Sequence, residues 1–120
     1  MCNDKIAFYG VVKDLQRDVA SIDFSSATKD LPYAHFDAEK FTDSNNRVIE
    51  FYRQIDYALT YNEYDDARVK SGKIMHTVQD FYSHSNWVEQ GKSNILETIG
   101  IQNAFPDSTT SVNDPNRKYN

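Results

Sequence analysis

The chain has one cysteine, Cys2, in 120 residues, so no internal disulfide can form. It contains no Asn-x-Ser/Thr acceptor for N-glycosylation. No apolar stretch approaches the ~20 residues of a membrane-spanning helix. The opening stretch, MCNDKIAFYG, lacks the basic-then-apolar layout of a secretory leader. Two readings follow: a chain that stays inside the cell, or a mature piece of a longer secreted one. Runs of one charge are also missing. Thirteen Lys and Arg are scattered among eighteen Asp and Glu, for a net charge of −5. That pattern excludes the basic footprint of a general nucleic-acid binder and leaves no polybasic patch for a membrane surface.

Rings are plentiful. Eight tyrosines, seven phenylalanines and one tryptophan make 13% of the chain, so the core is expected to be built from aromatic side chains. Trp87, Phe81 and Tyr82 read as core, and Tyr57, Tyr61 and Tyr64 as packing between helices. The length suits one domain.

Apolar spacing points to helices. Ile6, Val11, Val12, Leu15 and Val19 predict a helix over 5–20. A long polar connection, 21–46, carries Pro32 and His35, and a connection of that length in a compact domain usually has a task. Residues 47–61 form the clearest amphipathic segment, with Val48, Tyr52, Ile55 and Leu59 as its stripe and Phe51 and Ala58 beside it. Asp43 or Ser44 could cap its start, and Asn62 is its expected stop. A third helix is predicted over 64–85, and a short one over 93–99. No strand pair is evident. The fold class is all-α: a small helical bundle with long loops. Residues 1–105 read as a single helical domain, and 106–120 as an irregular polar C-terminal tail.

Histidine is scarce, with three in all, yet two of them flank an aspartate at even spacing in HTVQDFYSHSNW: His76, Asp80, His84. Residues four apart on a helix share a face. Imidazole and carboxylate are the usual ligands of zinc and related ions. His76 and His84 are separated by ~12 Å of helix at ~1.5 Å per residue, too far to share one ion. The natural arrangement is one ion held by His76 and Asp80, with His84 serving a second ion or a substrate. Asp80 could bridge two ions. The long connection, with His35 and Asp37, is the segment able to cover this face. Without a metal, the same side chains would form a buried hydrogen-bond network.

LPYAHFDAEKF followed by a helix and HTVQDFYSHSNWVE resembles the N-terminal region of the von Willebrand factor A domain-containing protein 7 group and the fungal heterokaryon incompatibility protein Het-C. Both are similar, more distantly, to zinc-dependent phospholipase C and single-strand nucleases. The matching stretch runs over about 21–101. The resemblance implies an all-α fold, a truncated version of the phospholipase fold, in which zinc is bound by His35, His76 and Asp80, with Asp80 bridging. It assigns His84 to another zinc and Asp23 to the first ion; Asp37 is an extra carboxylate nearby. That superfamily also uses an N-terminal Trp, an early His and a later HxxxE, which this chain lacks. One to two ions are therefore expected instead of three, unless Glu63 or Glu89 substitutes.

The resemblance implies two functions. The first is a zinc-dependent hydrolase of phosphodiesters, such as a lipid head group, with Asp80 as the catalytic carboxylate. The second is a non-catalytic secreted module for adhesion or immunity, meeting a protein partner and using the ion structurally. Both place the protein outside the cell.

Overall fold

A computed structural model describes residues 2–112. The chain is all-α. Helix α1 spans Cys2–Phe24, a short 3-10 turn spans Pro32–Ala34, α2 spans Phe41–Thr60 and α3 spans Tyr64–His84. Helices α1 and α2 both pack on α3, and the 3-10 turn lies against α2.

Two boundaries differ from the expected ones. Helix α2 begins at Phe41, six residues before the predicted start, because Phe41 is itself a core residue and carries the first turn inward. No side chain caps that start, so Asp43 lies in the first turn and Ser44 is buried. The other end follows expectation. Asn62 adopts φ 60, with Asn62 N donating to Leu59 O at 3.3 Å and Glu63 N donating to Ala58 O at 2.7 Å. These two bonds form a Schellman motif that satisfies the last carbonyls of the helix. The short helix predicted over 93–99 is absent; turns take its place.

The core is aromatic, as expected. Phe36, Phe41, Phe51, Phe81 and Trp87 are buried with Val48 and Ile74, and Leu96, Ile99 and Phe105 close the cluster. The buried face of α2 is rotated from the predicted stripe. Val48, Phe51 and Ala58 point inward, while Tyr52 and Leu59 are exposed. The tyrosines expected between helices are exposed too, with the Tyr57 and Tyr61 rings tilted against each other at 4.6 Å between centroids. Hydroxyl-bearing rings suit a wet boundary, and phenylalanine takes the dry positions. The start of α1 also departs from its predicted face: Ile6 and Val11 are exposed.

The first part of the segment read as a tail folds back. Asn86 N donates to Thr110 O at 2.8 Å and Val112 N to His84 O at 2.7 Å, so 110–112 runs antiparallel beside the end of α3. The rest of that segment, 113–120, lies outside the described residues.

Gly72 sets the spacing of α1 and α3. A Cβ there would stand 2.6 Å from Asp18 Cβ and 3.0 Å from both Asp18 C and Val19 N. Arg68 fastens the same crossing, donating from Nε to Asp18 Oδ2 at 3.0 Å. Gly72→Ala gains about 1 kcal/mol of helix propensity. The overpacking costs about 1–3 kcal/mol, because the obstacle is backbone. Thermal denaturation is expected to show a net loss of stability. An unchanged midpoint would contradict this account of the crossing.

Candidate metal centre

The 3-10 turn ends at His35, and the residues around it point in opposite directions. Phe36 is fully buried among the rings of Phe41, Phe81 and Phe105. Its φ is 52, and Ala38 and Glu39 follow at 50 and 60. Left-handed backbone costs a non-glycine residue about 1–2 kcal/mol. Burial of the Phe36 ring holds the turn in place. With Phe36 turned into the core, His35 is directed to α3.

There it meets the predicted pair. His35 Nδ1 is 2.7 Å from Asp80 Oδ2 and 3.4 Å from His76 Nε2. His76 Nε2 is 2.9 Å from Asp80 Oδ2. Asp23, in the last turn of α1, brings Oδ1 to 3.2 Å from His76 Nε2 and 3.8 Å from His35 Nδ1. Both imidazoles are buried, whereas the Asp23 side chain is 57% exposed and forms the open side. Ligand atoms on a tetrahedral zinc stand about 3.3 Å apart, the edge set by bonds of about 2.0–2.1 Å. The observed separations bracket that value. The two shortest both involve Asp80 Oδ2, which a few tenths of an ångström of retreat would bring into line.

Hydrogen bonding around the cluster suits a cation. His35 Nε2 is 3.1 Å from Thr28 O, and a carbonyl only accepts, so Nε2 carries a proton. A neutral ring in that tautomer presents its lone pair at Nδ1, toward the Asp80 carboxylate. Two electron-rich atoms at that distance need a proton or a metal ion between them. Anchoring the far ring nitrogen on a backbone carbonyl is how proteins orient metal-binding histidines. Among the described residues, no Lys or Arg pairs with Asp23 or Asp80; their ion pairs are with the histidines. Lys73, one turn before His76, leans over the Phe51 ring at 5.9 Å. Burial above all, then Lys70 and Arg47, hold its pKa below the usual lysine value.

His84 and Asp37 stand beside the cluster. His84 Nδ1 donates to His35 O at 2.9 Å, and the two rings are 6.5 Å apart. Asp37 Oδ1 accepts from Ala38 N at 2.8 Å. Both residues line an open cleft of about 240 Å³ with Asp23, Lys29 and His35. Among the described residues, Asp23, His35 and His76 form the one close group of three or more His, Cys, Asp or Glu; Glu63 and Glu89 do not join it. Asp80 Oδ2 is as close to both rings as any member of that group. A metal ion can be held here, and the donor set suits one ion.

The residues missed from sequence are the supports. The Thr28 carbonyl gives no signal in a side-chain pattern. Gly72 did leave one: a glycine inside a helix lowers helix propensity and so needs a packing reason.

A family model, the VWA7 N-terminal domain, matches residues 2–118. The von Willebrand factor A domain-containing protein 7 of Mus musculus is 40% identical over 85 residues, which cover 71% of this chain and 10% of the relative. The Rattus norvegicus protein of that name gives the same identity and coverage. The Homo sapiens protein is 35% identical over 85 residues with the same coverage. The chain spans about a tenth of the length of these curated relatives. No solved structure matches it.

Proposed function

This chain belongs to the VWA7 N-terminal domain family, and on that premise we propose that it is a zinc-binding helical domain of phosphodiester-hydrolase ancestry. The observation that carries the proposal is the approach of His35 Nδ1 and His76 Nε2 to Asp80 Oδ2, at 2.7 and 2.9 Å, and to Asp23 Oδ1, at 3.8 and 3.2 Å. Two imidazoles and two carboxylates are a zinc donor set. Held by His35, His76 and Asp80, with the exposed Asp23 on the open side, a zinc ion would have a position for a water of pKa near 7 and would polarise a phosphoryl oxygen.

The chain's own groups would do the rest. Asp23 and Asp80 orient the water, and the Thr28 carbonyl keeps His35 in its ligating tautomer. Lys29 and His84 line the cleft where a phosphodiester, such as a lipid head group, would lie. Setting the domain outside the cell is part of the proposal and rests on the family likeness. Finding a full-length relative wholly in the cytosol would contradict it.

A second reading is favoured by the burial of both imidazoles and the scarcity of further histidines. In it the ion only pins the His35 loop to α3, and the domain serves recognition. Hydrolysis of bis(p-nitrophenyl) phosphate by zinc-loaded protein separates the two. Turnover that is lost in Asp80→Asn, with helical circular dichroism intact, supports catalysis. Stoichiometric zinc without turnover leaves the structural reading standing and removes the hydrolase.

A further inference from the structure

A different cavity lies where the segment after the 3-10 turn meets the returning C-terminal segment. It measures about 210 Å³ and is walled by Glu39, Thr42, Phe105, Asp107 and Thr109. Glu39 Oε1 is committed, accepting from Ser111 N at 2.8 Å and from the Thr110 hydroxyl. Those bonds fix the carboxylate and leave Oε2 buried with no partner. Thr109 is 4% exposed, and its hydroxyl is likewise buried without a partner. Unsatisfied buried oxygens are rare, and each costs about 1–3 kcal/mol unless something meets it. Both belong to residues that wall this cavity, as does the exposed Asp107.

We propose that this cavity is a site for a hard divalent cation of the calcium class, held by Glu39 Oε2, Thr109 Oγ1 and the Asp107 carboxylate. The donor set is oxygen only, with no imidazole or thiolate, which selects calcium-like ions over zinc. A cavity of that size has room for the ion and several waters, each taking about 30 Å³. Those waters complete the six to eight oxygens calcium takes. An organic quaternary ammonium would satisfy the carboxylates but leave the Thr109 hydroxyl without a partner. Few protein ligands and two carboxylates set the affinity in the weak range, roughly 10⁻⁴–10⁻³ M, seen in extracellular modules. The ion would tie the returning segment 107–111 to the loop just after His35, so it would brace the support of the histidine cluster without touching it.

The test is a calcium chloride titration of the zinc-saturated, ¹⁵N-labelled protein, followed by amide chemical shifts. Saturable shifts confined to residue 39 and 107–111, weakened at least tenfold by Asp107→Asn and by Thr109→Val, are expected. Asp107 is exposed, so its variant folds even if a change at Thr109 does not. No saturable shift up to 10-fold above the expected millimolar range would overturn the proposal, leaving water as the cavity's occupant. Shifts centred on His35 and His76, or shifts unchanged in Asp107→Asn, would overturn it as well.

Discussion

His76→Ala is expected to weaken zinc binding by more than about 100-fold, since loss of mere supporting partners of a metal ligand costs about 10–100-fold. His76 Nε2 is the hub of the cluster: Asp80 Oδ2, Asp23 Oδ1 and His35 Nδ1 all lie within 3.4 Å of it. Its removal takes away one nitrogen ligand and opens a buried gap beside the remaining ones. The metal-free protein is also expected to lose about 1–3 kcal/mol, because Asp80 keeps only His35 as a partner. Zinc titration against a competing chelator measures the first effect, and urea denaturation without metal measures the second. An affinity within threefold of wild type would show that the ion, if bound, sits elsewhere.

Phe81→Ala is expected to cost about 3–5 kcal/mol, the usual range for removing a fully buried ring. Phe81 has no exposed surface and meets the rings of Phe36, Phe41, Tyr82, Trp87 and Phe105 at 5.0–6.2 Å between centroids. A domain of this size has about 5–15 kcal/mol in total, so the variant is expected to be partly unfolded near its working temperature. Phe36 is among the rings that lose their neighbour, and Phe36 holds the backbone that presents His35. Zinc should therefore restore much of the lost stability, because binding to the folded state alone shifts the equilibrium. Chemical denaturation with and without zinc checks both statements. A loss below about 1 kcal/mol would mean that the aromatic cluster does not carry the fold.

The central features were legible for physical reasons. The spacing His76, Asp80, His84 fixes a shared face on any helix, and a three-histidine chain with HFD in a long connection leaves few partners for that face. Geometry alone also separated His84 from the cluster. Asp23 was legible only through the family likeness, since its part depends on how closely α1 crosses α3. That approach is set by Gly72 and the Arg68–Asp18 bond, which are tertiary facts. The faces of α1 and α2 were misread in part because apolar periodicity does not distinguish a residue facing a neighbour from one with no neighbour. Ile6, Tyr52 and Leu59 fit the stripe but meet solvent. The turns over 93–99 were misread because a few apolar residues at helical spacing do not make a helix. Trp87 Nε1 instead donates to Asn94 O at 2.9 Å, and the Tyr82 hydroxyl accepts from Leu96 N at 3.0 Å, bonds that hold the segment as a loop.

The central claim is that the His35 loop and α3 close on one ion through two imidazoles. X-ray absorption at the zinc K-edge of the zinc-loaded protein measures this directly. The account predicts one zinc per chain, with two imidazole nitrogens and carboxylate oxygen at about 2.0–2.1 Å. A zinc shell without imidazole scattering, or no stoichiometric zinc after removal of excess metal, would contradict it.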